Sequence, residues 1–196
     1  MDYSYQVLKF WHILSFMFMS VPLFNLIVVN ERALLGKEFN FNTDSYMENI
    51  IRHGATRCYV FQTSVFLSGI LLLILGHWGI SALWTNYFLL AKTILLFSLM
   101  ALLSYVHFSL QPKIDSFFKQ LTPDTKVPDS FPAQVKPYRV LRKRLATLCL
   151  FLVMTTIILG MQVYAPFGLT LNLILIALAA LFAIRANKTL MLFGWV

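Results

Sequence analysis

The stretch WTNYFLLAKTILLFSLMALLSYVHFSLQPK, residues 84–113, decides the fold: it is long enough to cross a bilayer, and it carries two ionisable residues, Lys92 and His107. A hydrocarbon core takes about 20 helical residues to cross at about 1.5 Å each. A helix from about Trp84 to Leu110 therefore spans it with room for tilt, and Pro112 is the expected stop. By the same rise Lys92 lies roughly 12 Å below one surface. A charged amine at that depth is costly, so it normally faces protein, water or a ligand rather than lipid.

Working outward, the composition agrees. With 59% hydrophobic residues, 12% charged residues and a mean hydropathy of +0.72, the chain is expected to be an all-α polytopic membrane protein and not a water-soluble globule. The net charge of +8 does not point to nucleic acid, because the basic residues cluster beside apolar runs, where the orientation rule for membrane proteins explains them. The two cysteines, Cys58 and Cys149, have no CxxC spacing and read as small core residues, with a disulfide or ligand role as the lesser alternative.

Five spans are expected, at about 5–30, 58–76, 84–110, 145–164 and 167–184, in a single bundle covering the whole chain. The first run has no small-x-small cleavage site after it and is expected as a retained helix, kinked at Pro22. Lys9, His12, Phe16 and Met19 share one of its faces by helical spacing. The polar stretches 31–57 and 112–144 are expected as cytoplasmic loops, the first holding a short interfacial helix around Tyr46 to His53, the second rich in proline and ending in RVLRKR. A basic cluster just before an apolar run suits an anionic leaflet. Arg52 and Arg57 read as headgroup anchors or as partners of a ligand's carboxylate or phosphate. Short connections at residues 77–83 and 165–166 predict two antiparallel hairpins. Placing 31–57, 112–144 and the tail after Ile184 on one side collects 14 of the 16 Lys and Arg residues there, so the N-terminus is expected outside and the C-terminus in the cytoplasm.

That topology sorts the candidate site residues. His12, His77 and Lys92 fall in the outer half, and His53 and His107 toward the cytoplasm. None of the eight acidic residues falls in an expected span, and only Asp2 lies on the outer side. Lys92 thus lacks a carboxylate of its own chain, and a buried ammonium in that position loses its proton or recruits an anion. The anion could come from a porphyrin propionate, a lipid phosphate or another subunit. Snorkelling to the headgroups and a proton relay are the competing readings. Neutral imidazole is the commonest axial ligand of non-covalent haem b, and no CxxCH motif is present for covalent attachment. His12 and His77 are the candidate iron ligands, although a hydrogen-bonded core histidine explains His12 equally well.

The opening K-x-x-H (Lys9, His12), the run SGILLLILG at residues 68–76, LLAK at 89–92 and the exit H-x-x-L-x-P at 107–112 resemble the membrane superfamily of copper-resistance protein D and the HemJ-type protoporphyrinogen IX oxidases. The resemblance covers about the first 115 residues. It implies a small helical bundle binding haem b, with functional positions that carry over onto His12 and Lys92. Where the oxidases resemble W-L-H-x-K before the lysine, this chain has Tyr87, Phe88 and Leu89; the proline-rich loop and the fifth span also depart from that pattern. The copper group implies more Met and His ligands than the Met17 and Met19 found near His12, since methionine in so apolar a chain is usually packing.

The expected function is a haem-b-binding membrane protein of redox or electron-transfer type in a bacterial cytoplasmic (inner) membrane, with His12 axial, His77 a second ligand and Lys92 near a propionate. The alternatives are a protoporphyrinogen-oxidase-like enzyme using Arg57 and Lys92 against substrate carboxylates, a non-catalytic accessory or assembly subunit, and a copper-handling protein. Lipid, haem or porphyrin and a membrane partner subunit or second copy are the expected partners, and nucleic acid is not. No phosphate loop, HExxH or acidic pair within a span supports nucleotide hydrolysis or zinc-protease chemistry.

Overall fold

Uninterrupted apolar runs of about 20 residues satisfy their backbone only as helices in a bilayer, and every regular element of the computed structural model is helical. It describes residues 3–34, 39–76, 78–121, 128 and 130–188. In order these form α1 (Tyr3–Phe18), α2 (Val21–Leu34), α3 (Phe41–Leu75), the single turn α4 (Ala82–Thr85), α5 (Tyr87–Tyr105), α6 (Gln111–Phe118), α7 (Phe131–Tyr164) and α8 (Leu169–Lys188). Among the described residues, four helical segments are long and apolar enough to cross a membrane: Phe41–Leu75, Tyr87–Phe118, Phe131–Tyr164 and Leu169–Lys188.

The first apolar run is two helices instead of one kinked helix, and neither alone reaches the length of a crossing. The break falls at Met19 and Ser20, and Pro22 takes the second position of α2, where a missing N–H costs nothing. Ser20 Oγ donates to the Met17 carbonyl at 2.6 Å, and the Cys58 thiol lies 3.9 Å from the Met19 carbonyl that the break frees. Antiparallel to α3, the α1–α2 pair runs from Tyr5 beside Gly76 to Arg32 on Asp44. Met19, Cys58, Val65, Leu96, Leu99, Cys149 and Val153 form the central core, in which both cysteines are buried and free.

The stretches expected as loops are largely helical. Residues 41–57 are the start of α3, with Asn40 capping through its side chain to the Thr43 N–H at 3.1 Å. Pro112 does not stop its helix: a π-helical turn, Val106–Leu110, passes the chain on to α6, and Pro112 sits in the first turn of α6, where a missing N–H is tolerated. The basic run before the fourth apolar segment belongs to α7. Tyr164 and Leu169 end and begin separate helices, α7 and α8, which pack together. At 35 residues α3 is roughly 52 Å long against a hydrocarbon core of about 30 Å. Its polar end therefore overhangs, as do α6 and the start of α7. There Ile114, Leu121, Phe131 and Val135 make a second small core, edged by Phe39, Phe41 and Phe118.

Between the two cores lies a charged cluster. Asp44 and Glu48 are 0% and 4% exposed and Arg142 is 5% exposed, so these are buried charges that must be paired. Arg142 holds Glu48 with both terminal nitrogens, Nη2 to Oε1 at 3.0 Å, and Nη1 also donates to Gln111 Oε1 at 2.8 Å. Arg139 bridges Glu48 at 3.0 Å and Asp44 at 2.8 Å. Arg32 reaches Asp44 at 2.6 Å, and that hydrogen bond pushes the guanidinium pKa above its ordinary value. Arg52 closes on Asp115 at 2.7 Å. Two arginines of RVLRKR, Arg139 and Arg142, thus face protein rather than an anionic leaflet, and Arg52 is an ion-pair partner.

Truncating one partner of such a pair strands the other. Glu48→Ala or Arg142→Ala is expected to cost about 3–5 kcal/mol, whereas the apolar double variant Glu48→Leu with Arg142→Met recovers most of the loss. Denaturant unfolding in detergent measures all three.

Candidate functional site

Four helices position the site. A serine ladder on α3 fixes α1: Trp11 Nε1 donates to Ser64 Oγ at 2.9 Å, Ser15 Oγ meets Ser64 Oγ at 3.0 Å, and His12 Nδ1 lies 2.8 Å from the buried Ser68 Oγ. Ser68 is 2.6 Å from the Ser64 carbonyl, to which it gives its proton. Its oxygen therefore accepts from His12 Nδ1–H, and the Nε2 lone pair remains as the ring's free acceptor. Gly69 makes room for this imidazole, since a Cβ there would lie 3.3 Å from His12 Cε1.

From α5, Lys92 reaches the same space. Its Nζ lies 3.4 Å from where a Cβ on Gly160 of α7 would sit, so the ammonium occupies the gap that this glycine leaves. Among the described residues no hydrogen bond or ion pair reaches it. His12 and Lys92 both line a cavity of about 580 Å³, with Lys9, Tyr5, Trp78 and Tyr164 also in its wall and mostly apolar side chains elsewhere, Thr93 and Thr156 excepted. No Asp or Glu is among the lining residues. The Lys9 ammonium rests on the ring of Tyr164, 4.5 Å from its centroid, a contact worth about 0.5–1 kcal/mol at an exposed position.

The other expected site residues are placed elsewhere. Arg57 is exposed on α3 outside the cavity, and His77 lies outside the described residues, next to Trp78 of the lining. His53 is exposed and bonds its own helix at the Asn49 carbonyl, 2.8 Å away. His107, in the π turn, has a buried Nδ1 with no partner and packs edge-on against Tyr59, 5.8 Å between centroids. Among the described residues these two histidines share no partner. Ser68, the role of Lys9 and the pairing of Gly160 with Lys92 were not legible in the sequence. The K-x-x-H spacing put Lys9 on the face of His12, which was the available signal, whereas nothing in the sequence pairs Gly160 with Lys92.

Among the described residues the cavity offers one imidazole, two ammonium groups and a large apolar wall. Among the described residues no group of three or more His, Cys, Asp or Glu side chains is gathered to hold a metal ion. A single axial imidazole, steadied at its other nitrogen by a second side chain, is a different donor set, and His12 with Ser68 supplies it. The arrangement suits an apolar body bearing acid groups. No family model, curated protein or solved structure matches the chain.

An unpartnered ammonium among helices opposes folding. Lys92→Met is therefore expected to stabilise the ligand-free protein by about 0.5–2 kcal/mol, read as a raised unfolding midpoint in detergent. A lowered midpoint would show that Lys92 supports the fold instead of a ligand.

Proposed function

We propose that this integral membrane protein binds haem b in the cavity between α1, α3, α5 and α7 and serves in redox or electron transfer. The observation that carries the reading is the placement of His12 and Lys92 on one cavity whose lining contains cations and no carboxylate. His12 holds the iron through Nε2, Ser68 orients its ring, and Lys92 pairs with a propionate. Haem bound in this way supplies a one-electron couple. The apolar wall keeps water from it, and the neighbouring cations favour the form with more negative charge.

In this reading α1 and α2 together make a fifth, broken crossing. The N-terminus lies outside, and the arginine-rich overhang faces the cytoplasm of a bacterial cell. The resemblance of the short motifs to those of the copper-resistance protein D and HemJ-type superfamily supports the same assignment of His12 and Lys92. A porphyrinogen oxidase is the second reading, favoured by the same two-cation lining; Arg57, exposed on α3, has no part in it.

Protein purified in detergent is expected to give a reduced-minus-oxidised haem difference spectrum that His12→Ala abolishes, while Ser68→Ala weakens haem affinity about tenfold. A folded preparation that takes up no haem removes the proposal. Restoration of porphyrin synthesis in a strain lacking its own oxidase separates the enzyme reading from electron transfer.

A further inference from the structure

We infer that the cavity opens sideways to the lipid between α1 and α7, and that Lys9, parked on Tyr164 at this mouth, is the partner of a second acid group on the ligand. The inference rests on the cavity being a haem or porphyrin site and adds to it the route of access and the requirement for two acids.

The mouth is visible in residues that both line the cavity and are exposed. Ile13 and Met17 of α1 and Ile157, Met161 and Tyr164 of α7 do both. Residues with one side on a cavity and the other on the outer surface mark where the wall is open, and here that opening is rimmed by apolar side chains on two crossing elements. The packing explains the gap: α1 packs mainly on α3, and α5 on α7, so the two pairs part along the α1–α7 side. The rim is apolar apart from the Lys9–Tyr164 contact, which is the polar feature a lipid-soluble ligand meets on this path.

Lys9 and Tyr164 are the groups that reach across it, with the ammonium over the ring at 4.5 Å. The contact is a resting place for a charge that has no carboxylate among the lining residues. An arriving carboxylate offers the ammonium a stronger partner than an aromatic face, because a charge-assisted hydrogen bond in low dielectric exceeds the pull of a ring quadrupole. Lys9 then leaves Tyr164 for the ligand. Lys92 takes one acid group between α5 and Gly160 of α7, and Lys9 takes the other at the mouth. Two like charges in one apolar space repel each other, and a ligand with two acids neutralises both, whereas a mono-acid leaves one uncompensated.

The test uses the full chain in lipid nanodiscs, titrated with protoporphyrin IX, with its dimethyl ester and with haemin. The free diacid is expected to bind at least about tenfold more tightly than the ester, and Lys9→Gln to lower diacid affinity about tenfold. Lys9→Arg, which keeps the charge, retains wild-type affinity. Ester binding is unchanged in both variants, which shows the cavity intact. Equal diacid affinity in wild type and Lys9→Gln overturns the inference, as does an equal loss in Lys9→Gln and Lys9→Arg. Tryptophan at both rim positions, Ile13→Trp with Ile157→Trp, is expected to slow association several-fold; an unchanged association rate overturns the sideways route. If diacid binding depends on Lys9 while haemin gives no iron-ligand spectrum, the haem reading falls and the two-lysine site stands. If haemin binds through His12 but ignores Lys9, the opposite holds.

Discussion

A cation taken out of water must find a counter-charge, and this chain meets that constraint in opposite ways at its two ends. At the overhanging end of α3, Asp44 and Glu48 are fully enclosed by arginines, with Gln111 completing the set. The charges there are satisfied within the protein, and they tie together α2, α3, α6 and α7. At the other end Lys92 and Lys9 face a cavity with no Asp or Glu among its described lining residues. The first arrangement is closed and belongs to folding. The second is open, and the proposed ligand would supply the missing counter-charges.

The geometry of the open end depends on the closed one. α3 and α7 are held in register where Arg139 and Arg142 meet Asp44 and Glu48, and the same two helices carry Gly69 and Gly160 to the cavity. The break at Met19 and Ser20 lets α1 lie on the serine ladder of α3 while α2 turns toward α7 and α8, where Asn30 Nδ2 donates to the Ala186 carbonyl at 3.0 Å. A continuous helix would hold both ends to a single line. The break thus allows His12 to be set by α3 independently of what α2 packs against.

Much of this was legible in the residues alone. Apolar runs marked out membrane helices, because a bilayer leaves the backbone few other solutions, and Lys92 and His12 stood out by being ionisable inside such runs. Helix ends were less legible. Polar residues from Phe41 to Arg57 and from Phe131 to Arg144 read as loop because hydropathy reports the lipid boundary, not the helix boundary, and here the helices continue past it. The destination of the arginines was also hidden, since a basic residue beside an apolar run suits an anionic leaflet and an acidic neighbour equally. The signal that distinguishes them was present: Asp44 and Glu48 are four apart and Arg139 and Arg142 three apart, each pair on one helical face. Arg57, one face away, points outward. Gly160 is visible in the sequence as a small residue in an apolar run, but its importance comes from a side chain on another helix.

Native mass spectrometry of the protein released from its own membranes tests the central claim most directly, since it asks whether the two-cation cavity is filled. The account predicts a co-purifying species of haem or porphyrin mass on the wild-type chain and a bare chain for Lys92→Met. Wild-type protein that is folded and bare, or a ligand retained equally by both chains, would contradict it.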